Sequence, residues 1–381
     1  MLIKRLNMHI GLFIKDFAVG KKFSKDGLPT KSGAEFHGEN HAKQLIKRGN
    51  EVTIFAKKKY WFTKARENLD GIDLVRLHAP FRWLEIILRL LTTHRNIDAF
   101  YIIGTPKFAV WAVLWAKLIN KPVTLALTGK AEIFEADANW RNKIFSKCTK
   151  YIALSHEIKD GFVKYSSISS DLITILTQGI DTKLYPILSK ESKNELRKKN
   201  NFSPEDKIVM FCARLVPDKG IYTIIKLWPI VHLKHPTAKL LIVGGGEQRL
   251  VDDLNKMSCE NDNTVYVLGE KDNPAPYYQM SDIFVFPSKH EGMPTVLLEA
   301  MSCGLAPVTS HIGGCEDVVK DNETGFMVEV DDHNSFAKYI NYLIENEEER
   351  VRISKNAHNL VYDYCDYSNV IWKLEEIITS G

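Results

Sequence analysis

The chain has 381 residues, 45% of them apolar and 26% charged, the composition of a globular protein with enough apolar side chain for two cores. Its 51 basic and 47 acidic residues leave a formal net charge of only +4, too small an excess to argue for nucleic acid as a partner. The cysteines at 148, 212, 259, 303, 315 and 365 form no C-x-x-C pair or close His–Cys grouping, which excludes a recognisable zinc site or disulfide framework and points to a reducing, cytoplasmic setting.

The opening MLIKRLNMHIGLFIKDF puts charge before an apolar run, but no small-residue cleavage site follows and the run stops at Lys15 and Asp16. A first strand is expected there rather than a leader. Strands are predicted at 9–14, 52–55, 72–77, 99–103, 123–127 and 150–154, with helical period over 34–48 and 107–119. That alternation yields a parallel sheet covered by helices. The segment RWLEIILRLLTTHR, residues 82–95, has an apolar face and three arginines; it permits an interfacial position, although a sheet-covering helix is the simpler account. Clusters at Lys21 and Lys22, at Lys57, Lys58 and Lys59, and at Lys64 and Arg66 make the first half the basic one. Such charge suits peripheral contact with an anionic surface, such as the inner face of the cytoplasmic membrane. The longest uncharged apolar run, residues 108–116, is far short of the roughly 20 residues a membrane span needs.

Between residues 179 and 206 the chain is rich in Lys, Ser, Asn and Pro, which reads as a linker and places a boundary between a first domain, 1–184, and a second, 185–365. The second half restarts the rhythm with strands at 208–211, 240–243, 264–268, 283–286 and 306–309, and the last segment, 369–379, is again helical in period. The expected fold class is α/β, two Rossmann-like domains whose ligands sit at the carboxyl ends of the strands.

The residues that carry chemistry follow those strands. After IFVFP come Ser288 to Pro294 and then a helix running to Gly304, with Pro294 suited to a first helical position and Gly304 to a C-terminal cap. The amino end of that helix offers unpaired N–H groups and partial positive charge to a diphosphate. Glu291 and Glu299 are candidates for a glycosidase pair, but their separate settings, loop and helix, suit hydroxyls of two different sugars, a transferred hexose at Glu291 and a ribose at Glu299. After IVMF, the loop ARLVPDKG brings Arg214 and Lys219 to a strand end, where fixed cations neutralise a departing diphosphate. Such groups are worth about 10²–10³ in rate. No Asp-x-Asp occurs, so nothing marks a metal bridging the phosphates. His37 and His41 stand one helical turn apart without the H-E-x-x-H spacing; they read as a polar helix end near an acceptor, on a face that is not wholly packed. Gly244, Gly245 and Gly246, and Gly269, Glu270 and Lys271, close two further strands where backbone can approach a nucleotide. The glycines lack the G-x-G-x-x-G pattern, and Thr128, Gly129 and Lys130 are not a complete Walker A sequence.

Together these pieces resemble the family 4 retaining glycosyltransferases. The likeness is densest in SDIFVFPSKHEGMPTVLLEAMSCGLAPVTSHIGGCEDVVKDNETGFMV, which is similar to that family's E-x7-E region and its Gly-rich sequel, and continues in ARLVPDKG, LLIVGGGEQR, QGIDTKLYP and residues 32–53. The resemblance implies the two-domain GT-B fold, with the segment 366–381 packed back on the first domain. It implies a nucleotide-sugar co-substrate, UDP- or GDP-linked, no cofactor or metal, and a saccharide or lipid-linked acceptor. Glu291 would contact the donor sugar and Glu299 the ribose, with Gly292, Met293, Pro294 and Thr295 beside the phosphates. Arg214 and Lys219 would grip the diphosphate, Gly33 would approach it, Gly244 would belong to the donor site, and the loop of Gly269, Glu270 and Lys271 would receive the base. A hexose or N-acetylhexosamine would be transferred with retention for cell-surface polysaccharide or glycoconjugate assembly, the leaving phosphate taking the acceptor's proton. Other activities of the same fold, epimerase or phosphorylase, or a silent subunit, are the alternatives. Ser32 replaces the first glycine of the family's Gly-Gly pair, and Thr128 stands where a histidine is frequent, leaving Thr128, Lys130 and His37 as candidate sugar or acceptor contacts.

Overall fold

A computed structural model of the chain describes residues 7–17, 33–58, 63–127, 140–166, 168–262 and 264–380. It divides into two compact units, Met1–Gln178 with Val370–Gly381, and Gly179–Asn369.

In the first unit the strands are β1 His9–Ile14, β2 Glu51–Lys57, β3 Arg66–Leu69, β4 Ile72–Leu77, β5 Ala99–Ile103, β6 Val123–Leu127, β7 Lys150–Ala153 and β8 Ile173–Ile175. They lie in the order β3-β4-β2-β1-β5-β6-β7-β8, all pairs parallel except β3 with β4. Central strands such as HIGLFI and AFYII are buried almost throughout, as expected when helices cover both faces of a parallel sheet. Strand β3 escapes sequence reading because RENL has no apolar run. It is an edge strand, half in solvent, held by the antiparallel ladder and by the ion pair of Glu67 with the buried Arg76.

The second unit has β9 Ile208–Cys212, β10 Lys239–Val243, β11 Val265–Gly269, β12 Ile283–Phe286, β13 Ala306–Ser310 and β14 Phe326–Val328. Their order is β11-β10-β9-β12-β13-β14, parallel throughout. Sequence order therefore runs outward in both directions from the β9/β12 junction. This is the topological switch point, where the loops leaving adjacent strands diverge to opposite faces and open a crevice.

The stretch read as a linker is structured. Residues Lys190–Lys199 form a helix capped by Ser189, whose hydroxyl accepts from the Ser192 N–H at 3.2 Å. KESKNELRKK contains a single apolar residue, so no stripe announces it. Its hold is electrostatic: Lys193 and Arg197 reach the buried Asp282 at 2.8 and 2.7 Å, and Asp282 also accepts from the Ile208 N–H at 2.9 Å. Burial raises the Asp282 pKa and the two cations outweigh it, so the carboxyl stays below its ordinary range.

The final helix, Tyr367–Thr379, belongs to the first unit from Val370 onward. Its Glu375 accepts from Arg48 Nε and Asn50 Nδ2, both at 2.6 Å.

Candidate functional site

At the switch point, loop 213–220 leaves β9 and loop 287–294 leaves β12. They are laced together: the Lys289 N–H donates to the Asp218 carbonyl at 2.9 Å, and the buried Ser288 Oγ lies 3.3 Å from the same carbonyl. The lacing brings Lys219, at the end of a short 3-10 turn, to Glu291. Their charged atoms stand 2.5 Å apart with the side chains only 18% and 15% exposed. Ser288 Oγ donates to the same Glu291 oxygen at 2.9 Å. Arg214 extends from the same loop as Lys219, exposed and with no side-chain partner among the described residues. The loops leaving β9 and β12 thus present Lys219 in an ion pair with Glu291, Lys289 in one with Asp331, and Arg214 open to solvent.

The backbone behind Glu291 is held by the glycine-rich sequel. A Cβ on Gly314 would lie 2.6 Å from the Glu291 carbonyl oxygen and 2.8 Å from that of Gly292, closer than any side chain tolerates. Beyond Glu291 the chain passes through Gly292 and the buried Met293 into the helix Thr295–Ser302. Pro294 is the cap of that helix rather than its first residue, in extended conformation at φ −79° and ψ 104°, because a proline there still fixes the entry.

Glu299, on that helix, lies between two tyrosines. Tyr185 Oη donates to one carboxylate oxygen at 3.1 Å and Tyr278 Oη to the other at 3.0 Å. The tyrosine rings meet edge to face with centroids 6.1 Å apart. Burial and the adjacent carboxylate push both phenol pKa values up, so both remain donors. Sequence reasoning missed this clamp, since no spacing rule joins 185 or 278 to 299; only the packing of the Tyr185 turn and the helix Ala275–Met280 against Thr295–Ser302 does.

The glycine loops close the other side. Gly244, after β10, donates its N–H to the Gly269 carbonyl at 2.9 Å. Its φ is +146°, and an added Cβ would lie 1.8 Å from the Ala213 oxygen. Gly244→Ala is therefore expected to destabilise the second unit by about 3 kcal/mol or more; a urea-unfolding loss below about 1 kcal/mol would contradict this placement. Gly269 ends β11 at φ +70°, Glu270 is exposed, and the Lys271 ammonium lies 5.7 Å from the Tyr277 ring centroid.

In the first unit, Gly33 opens the helix Gly33–Lys47. Thr128 and Lys130 lie outside the described residues. The expectation of an incompletely packed face on this helix is corrected. An added Cβ on Gly38 would come 2.9 Å from Ile14 Cδ1. His37 and His41 are buried, 7% and 6% exposed, so both rings are enclosed by the fold. His41 Nδ1 and Tyr101 Oη are 3.2 Å apart. Burial lowers the His37 pKa to about 4; burial, then the charge of His37, lowers that of His41 to about 3.

Among the described residues, no group of three or more His, Cys, Asp or Glu side chains is placed to hold a metal ion. No described helix is long and apolar enough to cross a membrane.

Two family models match. The one for Glycosyltransferase Family 4 covers residues 31–184, and the one for Glycosyl transferases group 1 covers residues 192–360. The chain is 26% identical over 313 residues to the capsular polysaccharide biosynthesis glycosyltransferase CapM of Staphylococcus aureus, covering 79% of this chain and 82% of that protein. It is 26% identical over 295 residues to the N,N'-diacetylbacillosaminyl-diphospho-undecaprenol alpha-1,3-N-acetylgalactosaminyltransferase of Campylobacter jejuni, covering 73% of this chain and 76% of that one. Among solved structures, Anabaena Alr3699/HepE in complex with UDP superposes with a TM-score of 0.78 at 19% identity, over 98% of this chain and all of the other.

Proposed function

This chain belongs to the family 4 glycosyltransferases and has their GT-B fold, and from that premise we propose a retaining transfer. A hexose or N-acetylhexosamine passes from a UDP- or GDP-linked donor to a saccharide or lipid-linked acceptor. The observation that carries the reading is the pairing of Lys219 with Glu291 at the β9/β12 switch point, with Arg214 on the same loop.

Departure of a nucleoside diphosphate concentrates negative charge on its outer phosphate. Lys219 and Arg214 lie where that charge develops, and the amino end of Thr295–Ser302 adds its dipole. Donor arrival gives the Lys219 ammonium an anion to share with Glu291, and it brings sugar hydroxyls to a carboxylate that Ser288 already orients. Glu299, steadied by Tyr185 and Tyr278, receives the ribose hydroxyls, and the loops at Gly244 and Gly269 to Lys271 receive the base. The leaving phosphate takes the acceptor's proton on the same face, so the protein supplies no nucleophile. No metal or cofactor is required in this scheme, because fixed cations replace a bridging ion.

Acceptor choice is assigned to the first unit. The names of the Staphylococcus and Campylobacter relatives support polysaccharide or glycolipid assembly as the setting, on the cytoplasmic side where nucleotide sugars are made. A thermal-shift screen of nucleotide sugars is expected to single out one donor, since occupancy at 100 times Kd adds about 2.7 kcal/mol. With that donor, nuclear magnetic resonance of the first product should show the donor's own anomeric configuration. An inverted product would overturn the retaining mechanism.

A further inference from the structure

In the second unit, away from the donor loops, a cavity of about 530 Å³ opens beside the amino end of β14, within the roughly 300–1,000 Å³ typical of small-molecule sites. Lys234 on its rim ends the helix Ile221–Lys234, which begins directly after loop 213–220. That helix has 14 residues, and a rise of about 1.5 Å per residue puts roughly 20 Å between the two places.

Aromatic rings form a corner of the cavity. Phe326, the first residue of β14, stacks on Tyr339 with centroids 4.4 Å apart and 15° between the planes. Tyr342, three residues further along the helix His333–Glu345, stands nearly perpendicular to Phe326, at 83° with centroids 5.8 Å apart. Phe326 is buried and Tyr342 is 38% exposed, so the corner has a covered floor and an open wall. Asn341 also lines the cavity and is only 8% exposed. Its Oδ1 atom is buried and has no hydrogen-bond partner among the described residues. Buried side-chain amides are nearly always paired in folded proteins, and this one is left to a donor that enters the cavity.

The charges at the rim are engaged. Lys234 Nζ lies 2.6 Å from Glu345 Oε1, and His235 Nε2 lies 3.1 Å from the same oxygen. The Lys338 ammonium sits 5.5 Å from the Tyr339 ring centroid. The rim therefore lacks the open cation cluster that a phosphate ligand demands. The turn beside it is fixed in advance: the Asn322 carbonyl accepts from Arg352 Nη2 at 2.8 Å and the Glu323 carbonyl from Asn356 Nδ2 at 3.1 Å. A ligand entering here has little of this wall to order.

We propose that this cavity is a second saccharide site, which holds one pyranose ring with its C–H face on Tyr342 and a hydroxyl donating to Asn341 Oδ1. A pyranose fits on three counts. It is neutral, it presents a face of C–H bonds to the negative face of an aromatic ring, and its hydroxyls donate to a buried acceptor. A wholly apolar ligand would leave Asn341 unpaired, and an anion would find Lys234 already held by Glu345. A second hold on a polymeric acceptor raises its effective concentration at the enzyme between transfers. The inference rests on the saccharide-acceptor reading only for that purpose; the assay below involves no sugar transfer, so the two fail separately.

The test is an amide-detected nuclear magnetic resonance titration of the full chain with the methyl glycosides of glucose, galactose and N-acetylglucosamine. At least one of them should shift the amides of residues 322–326 and 338–345 in a saturable way. Tyr342→Ala should weaken that binding by about tenfold with an unchanged melting profile, since the ring is partly in solvent. Asn341→Leu, a second variant that replaces an unpaired amide by an apolar group of similar size, should weaken it severalfold without loss of stability. Glu291→Gln, in the donor loop, should leave these shifts as they are. The absence of saturable shifts in both segments with all three glycosides, shifts confined to the loops at 213–220 and 287–294, or equal binding by the parent and both cavity variants would overturn the proposal.

Discussion

Lys219→Ala is expected to lower kcat by about 10²–10³-fold with the preferred donor, the range for removing one fixed charge from a developing oxyanion. The structure adds a second consequence. Lys219 is the cation beside Glu291, so alanine leaves a mostly buried carboxylate held by the Ser288 hydroxyl but without its cation, and some stability is lost as well. The two effects separate. Pairing Lys219→Met with Glu291→Gln removes the uncompensated charge and should restore the urea midpoint, whereas the rate should stay low because the leaving phosphate still lacks its cation. A wild-type kcat in Lys219→Ala would remove this lysine from leaving-group stabilisation.

The second large effect is acid loss of the first unit, driven by His37 and His41. Both imidazoles titrate near 6.5 when unfolded, while burial holds them neutral in the fold down to about 4 and about 3. As pH falls below 6.5 the unfolded chain binds protons that the folded unit refuses. Stability contributed by these groups is therefore intact above about pH 6.5 and is lost as pH falls toward 4. The slope is about 1.4 kcal/mol per pH unit for each histidine, or about 4 kcal/mol for the pair by pH 5. Urea titrations read by hydrogen exchange in β5, whose Tyr101 contacts His41, should show this loss, and His41→Gln should roughly halve its slope. A slope identical in parent and variant would contradict the neutral, buried state assigned to His41.

The central strands were legible because parallel strands covered on both faces are apolar throughout, as in IVMFC and IFVF. The turns that follow them were legible for the same reason: once the strands are placed, Arg214, Lys219 and Glu291 must leave their carboxyl ends. What the pattern could not supply was partnership. Lys219 and Glu291 read as two separate ligands, and their mutual ion pair depends on β9 and β12 being neighbours despite 72 residues of separation. The same holds for Glu299, whose tyrosines lie 114 and 21 residues away. Helix Lys190–Lys199 was hidden because charge, not apolar period, holds it: Arg197 is buried among the Met280 and Pro204 carbonyls and Asp282. His37 and His41 misled in the other direction, since polar residue types suggested a wet face where close packing of Gly38 against Ile14 allows none.

The most direct test of the donor site is titration calorimetry of UDP and of GDP against the full chain in excess chelator. The account predicts that one of them binds without any divalent ion, that Lys219→Ala and Arg214→Ala each weaken it by about tenfold or more, as expected for lost charge-assisted contacts to phosphate, and that Thr223→Ala, in the helix Ile221–Lys234 that follows β9, where the hydroxyl donates to Asp331, leaves it unchanged. No binding by either nucleotide, or binding that appears only when a divalent metal is restored, would contradict it.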